Sequence, residues 1–159
     1  MVAGEIDILL VEDSSPDVHL TLHALRQGNL ANRAYVACDG EEALEYLFGR
    51  GAYSDRRLEC QVKLILLDLK LPKVDGLEVL RAIKNDQHTK VIPVVILTSS
   101  REEKDLINSY DLGANSYVQK PVDFDQFREI VKQLCLYWLR VNQPPAVTEF
   151  SEKQQRRAP

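Results

Sequence analysis

The stretch Lys63-Leu64-Ile65-Leu66-Leu67-Asp68-Leu69-Lys70-Leu71-Pro72-Lys73-Val74-Asp75-Gly76 decides the fold. Its continuous apolar run is short and is closed by turn residues. It therefore reads as a strand buried on both faces, as the central strand of a parallel sheet is. Asp68 stands at the carboxyl end of that strand. Ligands of an open α/β sheet bind at that edge, so a carboxylate there is placed for chemistry.

Strand and helix alternate on either side. Ile6 to Val11 is an apolar strand ending in Glu12-Asp13. Ser15-Pro16-Asp17 then offers a hydroxyl cap, with proline at the first helical position, for a helix carrying Val18, Leu22 and Leu25 up to Gly28. Tyr35-Val36-Ala37 is a second strand. Asp39 and Glu42 form a capping box for a helix with Ala43, Leu44, Leu47 and Phe48 that stops at Gly49. Residues 49–60 are polar and glycine-containing, a surface loop longer than such connections usually are. Beyond the Asp68 strand, Asp75 and Glu78 form another capping box, for a helix with Leu77, Leu80 and Ile83. Pro93 to Leu97 is the fourth strand, ending in Thr98-Ser99-Ser100. Ser100 and Glu103 cap a helix to about Tyr110, which Gly113 terminates. Ser116-Tyr117-Val118 is the fifth strand, followed by Lys120-Pro121. Asp123 and Gln126 cap a last helix running to about Val141, where Asn142-Gln143-Pro144-Pro145 breaks it. Five strands alternating with five helices predict a doubly wound parallel sheet with helices on both faces.

The 159 residues are 45% hydrophobic and 28% charged, a globular composition with room for one domain and a tail. Residues 5–142 are expected to form that domain and 143–159 a polar tail, with no effector domain. The formal net charge of −4 gives no electrostatic footprint for nucleic acid or an anionic membrane surface. The N-terminus has no basic region, and no apolar run approaches the roughly 18 residues of a membrane span, so the chain reads as cytoplasmic. Cys38, Cys60 and Cys135 are widely spaced, which argues against a disulfide framework or a zinc site and for reduced, buried thiols. His19 and His23 stand four apart on the first helix, but nothing completes a metal site around them, and they read as solvated.

The strand ends present Glu12 and Asp13, then Asp68, Thr98 and Lys120. Three carboxylates in one pocket repel one another unless a cation sits among them. Magnesium suits, because it keeps several waters and needs few protein ligands: Glu12, Asp13 and Asp68 carboxylates and a backbone carbonyl, that of Lys70. The metal would make Asp68 a usable nucleophile toward phosphorus. Thr98 offers a hydroxyl and Lys120 an ammonium point charge to the remaining phosphoryl oxygens. The expected chemistry is acceptance of a phosphoryl group on Asp68.

Glu12-Asp13, Asp68 with Pro72 and Gly76 behind it, Thr98-Ser99 and Lys120-Pro121 together resemble the receiver domain of two-component response regulators, over roughly residues 5–142. The resemblance implies a flavodoxin-like fold with strand order 2-1-3-4-5. It also implies phosphoryl transfer from a histidine kinase to Asp68 with magnesium bound, Glu12 and Asp13 matching the acidic pair. Further implications are a cis bond at Lys120-Pro121 and a switch in which Thr98 shifts toward the phosphoryl group while Tyr117 turns inward. A receiver is a signalling protein rather than an enzyme, catalysing only its own phosphorylation and dephosphorylation. Lys70 and Ser100 fall where side chains affect how long the phosphate survives.

The 49–60 insertion, the run Leu66 to Lys73, Asn108-Ser109-Tyr110-Asp111-Leu112 and Tyr137-Trp138-Leu139 resemble the small regulators paired with cyanobacterial phytochrome kinases. These associate as homodimers through the fourth helix, fifth strand and fifth helix. The last helix points the same way. Phe127, Val131, Leu134, Trp138 and Val141 make a core-facing stripe, yet Ile130, Cys135, Leu136, Tyr137 and Leu139 leave its C-terminal half little polar surface. Leu136, Tyr137 and Trp138 are the expected interface anchors, unless the tail, with Phe150, covers them. Three other readings compete. A haloacid-dehalogenase-type phosphatase uses the same groups but carries an aspartate two residues after the nucleophile, where Lys70 stands. A flavodoxin-like cofactor binder needs a phosphate-cradling loop where Glu12-Asp13 stands. A degenerate receiver would act as an interaction module alone.

Overall fold

The apolar runs become strands, and each strand feeds a helix. The computed structural model describes residues 6–56 and 61–145. The elements are β1 (Ile8–Val11), α1 (Ser15–Gln27), β2 (Ala34–Ala37), α2 (Gly40–Phe48), β3 (Leu64–Leu67), α3 (Gly76–Asn85), β4 (Val94–Thr98), α4 (Glu103–Asp111), β5 (Ser116–Gln119) and α5 (Phe124–Leu136). The strands form one parallel sheet in the order β2-β1-β3-β4-β5. Every residue of β1, β3 and β4 is buried, which is why those runs carry no polar alternation. None of the helices among the described residues is long and apolar enough to cross a membrane.

The two-residue period of a strand divides the interior into two cores. Leu9, Val11, Ile65, Leu67 and Ile96 face α2 and α3, where they meet Leu47, Leu80 and Ile83. Ile8, Leu10, Leu64, Leu66, Val95 and Leu97 face the other way, onto Leu25 of α1 and Phe127, Val131 and Cys135 of α5. Register then places the site. Val11 pairs with Leu67, so Glu12 and Asp68 leave the sheet side by side. Thr98 pairs with Gln119, so Lys120 emerges beside Thr98.

Two glycines hold the loops at this edge by close approach. A Cβ on Gly76 would lie 2.4 Å from the carbonyl oxygen of Asp68, and one on Gly40 would lie 1.9 Å from that of Val74. Lys73, whose φ of 64° is left-handed, sends its ammonium to Asp39 and Glu41, 3.5 Å from each. The β3–α3 loop is thus clasped to the start of α2. The 49–56 part of the long loop is held down by a tyrosine cluster. Tyr53, in a short 3-10 turn at Gly51–Tyr53, stands edge-on to Tyr35 and Tyr46 and donates its hydroxyl to Glu42.

Several local expectations are corrected. The first cap residue is Ser14, and its hydroxyl makes no cap bond; its N–H donates to Glu12 Oε1 instead, because that buried carboxylate needs a donor. The Asp39 box forms with its Glu42 arm on the Cys38 N–H. Asp75 accepts from Gly76 N–H, and Glu78 turns outward to Arg81. α4 starts two residues late, with no side-chain cap at Glu102; the Ser100 hydroxyl accepts the Glu102 N–H and donates to Asp105 in the first turn. Lys120–Pro121 is trans, the form a prolyl amide still favours by about 0.5–1 kcal/mol. Cys38 is exposed, since it lies past the end of β2. In the last helix Cys135 is core and Val141 is 60% exposed. The α-helix gives way to a wider π turn over Tyr137–Val141, which rotates the later residues off the stripe. Residues 146–159 and Cys60 lie outside the described residues, and with them the tail and Phe150.

Candidate functional site

Glu12, Asp13 and Asp68 meet at the carboxyl edge of β1 and β3, with an oxygen from each within 4.8 Å of the others. Glu12 and Asp68 are buried, while Asp13 faces solvent. Asp68 is oriented through both carboxylate oxygens. Oδ1 accepts the N–H of Leu69 at 2.7 Å, and Oδ2 accepts the Lys120 ammonium at 2.9 Å.

Lys120 crosses from the end of β5 into the middle of this group. Its Nζ lies 2.5 Å from Glu12 Oε2 and 2.8 Å from Asp17 Oδ2, so all three of its protons are engaged with carboxylates. Burial alone would discourage its charge, but Asp17, Glu12 and Asp68 outweigh that and hold its pKa above the ordinary lysine value. Glu12 moves up to about 7: burial is the largest cause, the Lys120 hydrogen bond opposes it, and the charge of Asp68 adds to it. The donor set is all oxygen and anionic, and it opens to solvent at Asp13. That fits a small hard cation such as magnesium. Lys70 is exposed in the loop two residues after Asp68.

Asp17 did not emerge from the sequence as a site residue. It stands one helical turn past the acidic pair, at the start of a helix that begins at the pocket. That first-turn placement is the signal that could have found it.

Thr98 is fully buried at the end of β4, and its Oγ1 accepts the Ser100 N–H at 3.3 Å. Tyr117 is half-buried against the α2/α3 core, with its hydroxyl donating to the Ser100 carbonyl at 3.3 Å. Burial is the largest cause raising its pKa, and the charges of Asp105, Asp68 and Glu102 add to it. The expected anchors diverge. Leu136 and Tyr137 are about half exposed, whereas Trp138 is partly buried in the α1/α5 core and stands edge-on to Tyr137. Leu106, Ile107 and Tyr110 of α4 are exposed as well.

A family model described as "Response regulator receiver domain" matches residues 8–132. Response regulator Rcp1 of Synechocystis is 39% identical over 139 residues, 87% of this chain and 92% of its own length. The crystal structure of its Mn2+-bound form superposes with a TM-score of 0.80 at 39% identity, covering 87% of this chain and 98% of that one. The phosphorylated cyanobacterial phytochrome response regulator RcpA gives a TM-score of 0.82 at 40% identity, covering 89% and 99%. The bacteriophytochrome response regulator AtBRR is 51% identical, with a TM-score of 0.68 and coverage of 88% and 99%.

Proposed function

Because the chain belongs to the response regulator receiver domain family, we propose that Asp68 is its phosphoacceptor and that a histidine kinase of the phytochrome type is the donor. The observation that carries this is the Lys120 ammonium held at once on Asp68, Glu12 and Asp17. It leaves the acceptor oriented at the open edge of the sheet. The haloacid-dehalogenase reading loses its ground with the family match, and Lys70 offers no general acid.

Asp68 Oδ2 attacks phosphorus, the new P–O bond forms as the bond to the donor's imidazole nitrogen breaks, and that nitrogen leaves with the electron pair. The Leu69 N–H holds Oδ1 and so turns Oδ2 toward the donor. Lys120 transfers part of its hydrogen bonding from the carboxylates to a phosphoryl oxygen, and the Thr98 hydroxyl, an acceptor for the Ser100 N–H, donates its proton to another. Magnesium, held by Glu12, Asp13, Asp68 and the Lys70 carbonyl, would supply neutralisation of the carboxylates and the incoming phosphoryl group.

Tyr117 and the α4–β5–α5 face would report the change. The exposed Leu106, Ile107, Tyr110, Leu136 and Tyr137 suit a homodimer, with Trp138 as the packed base beneath them. The relatives named as phytochrome response regulators support the kinase assignment.

The test is intact-protein mass after incubation with Mg2+ and acetyl phosphate, for the wild type and Asp68→Asn. A base-labile phosphoryl adduct that needs Mg2+ and vanishes in Asp68→Asn is expected. Its absence from the wild type, or its survival in the variant, would overturn the assignment of Asp68.

A further inference from the structure

Three carboxylates share the Lys120 ammonium, and two of them have other roles. Glu12 and Asp68 belong, with Asp13, to the group that suits a metal ion, and Asp68 is the acceptor. Asp17 has neither role. Yet its Oδ2 lies 2.8 Å from Nζ, as near as the 2.9 Å of the acceptor's Oδ2.

An acid in the first turn of a helix ordinarily serves the helix, through the dipole or by reaching back to the N-cap N–H in a capping box. Asp17 is the third residue of α1, the position from which a capping box is closed. The N–H of the cap residue, Ser14, is given instead to Glu12 Oε1 at 3.0 Å. The Asp17 side chain turns away from the cap and meets the lysine that follows β5. Thr21, buried one turn later, adds its hydroxyl to the Asp17 carbonyl at 2.9 Å, which fixes the turn that carries the carboxylate.

The three acceptors differ in position. The side chains of Glu12 and Asp68 are 4% and 9% exposed, whereas that of Asp17 is 32% exposed. Glu12 and Asp68 therefore hold the ammonium from the floor of the pocket, and Asp17 holds it from the solvent side. Without Asp17 the ammonium keeps two partners, both buried, and has no anchor at the opening through which a phosphoryl donor arrives.

Resting on the reading of Asp68 above, we propose that Asp17 is a positioning residue for phosphoryl transfer: it holds the Lys120 ammonium at the mouth of the pocket, aimed at the oxygens of the incoming phosphoryl group. In this role Asp17 touches neither the phosphoryl group nor Asp68. It acts through the ammonium alone.

The rate of adduct formation on the full chain tests it, followed by intact mass at saturating Mg2+ for each variant. Acetyl phosphate gives its phosphoryl group to Asp68, and acetate leaves with the electron pair. Asp17→Ala is expected to form the adduct about tenfold more slowly than the wild type, the loss of one charge-assisted hydrogen bond. Asp17→Asn keeps an oxygen at the same reach in a bond about half as strong, and is expected to be about threefold slow. In a Lys120→Ala background, Asp17→Ala is expected to slow the reaction no further, which a merely structural part in α1 would not give. A wild-type or faster rate in Asp17→Ala, or an equal tenfold loss in the Lys120→Ala background, would overturn the proposal. Urea unfolding with EDTA reads the pairing without the chemistry: the costs of Asp17→Ala and Lys120→Ala are expected to be non-additive, and additive costs would overturn the contact. No adduct on the wild type would overturn the Asp68 assignment and the proposal that rests on it, while the unfolding cycle still decides the contact.

Discussion

Replacing Gly40 by alanine tests the clasp that holds the acceptor loop. Gly40 needs its missing side chain for space, since φ there is not left-handed. A Cβ would stand 1.9 Å from the Val74 carbonyl oxygen, 2.8 Å from its carbonyl carbon and 2.9 Å from its Cβ. Backbone cannot rotate aside as a flexible side chain can, so either α2 or the 72–74 segment must retreat by about 1 Å or more to reach ordinary contact. That retreat also stretches the Gly40 N–H bond to the Pro72 carbonyl, already 3.4 Å, and the Lys73 contacts to Asp39 and Glu41. Overpacking of this kind costs about 1–3 kcal/mol. At this chain length each kcal/mol is about 2–4 °C in Tm, so Gly40→Ala is expected to melt about 2–12 °C lower. Gly28→Ala is the control, because its Cβ would meet nothing closer than 3.7 Å. Thermal unfolding by far-ultraviolet circular dichroism reads both. If Gly40→Ala loses no more than Gly28→Ala, α2 and the acceptor loop are not in the contact described.

Mg2+ is expected to raise the Tm of the wild type, by about 2.7 kcal/mol of stabilisation at a hundredfold excess over Kd, and to do so less in Asp13→Asn at the same concentration; equal shifts would remove Asp13 from the ligand set. Lys120→Ala leaves Glu12 and Asp68 buried without their ammonium and is expected to lose about 3 kcal/mol in urea unfolding with EDTA present. Wild-type stability would show that those ion pairs contribute nothing net. Lys84 donates to the carbonyls of Lys90 and Ile92 and to Asn115 Oδ1, and burial pushes its pKa down to about 8 from 10.5. Between those values the unfolded chain binds more protons than the folded one. The Lys84 contribution to stability therefore rises with pH across that window. Urea midpoints from pH 7.5 to 10 should climb more steeply in the wild type than in Lys84→Met, and parallel slopes would refute the assignment.

The fold was legible because its signal is local and redundant. Runs such as Ile8–Val11, Leu64–Leu67 and residues 94–97 are apolar at every position, as a strand buried on both faces requires. The chain order of Glu12, Asp13, Asp68, Thr98 and Lys120 puts each at a strand end, and the structure brings Glu12, Asp13, Asp68 and Lys120 together. What stayed hidden depends on contacts far apart in sequence or on a change of helical period. Asp17 joins the site only through Lys120, 103 residues later. The π turn at Tyr137–Val141 leaves no mark in the apolar pattern, so the stripe was carried through to Val141, and Cys135 was counted as surface. The tyrosines that pin the long loop read singly as strand, helix and loop residues. Only the tertiary fold stacks Tyr35 on Tyr46 at 4.4 Å and closes Tyr53 over them.

The charge balance at the strand ends accounts for what the site can accept. Glu12, Asp13, Asp17 and Asp68 face a single ammonium, that of Lys120. Two carboxylates within 4.8 Å of each other repel by about 3 kcal/mol or more at an effective dielectric of about 20, a repulsion that further positive charge relieves. A proton is one answer: the pKa of Glu12 is raised to about 7, chiefly by burial, with the charge of Asp68 adding to it. A divalent cation is the other. A bare phosphate would meet excess negative charge, whereas a phosphoryl donor arriving at a cation-filled pocket would not. Lysine suits this better than arginine would. A compact ammonium with three rotatable donors can pass from a carboxylate to a phosphoryl oxygen one hydrogen bond at a time, while a planar guanidinium fork would hold two acceptors in fixed geometry.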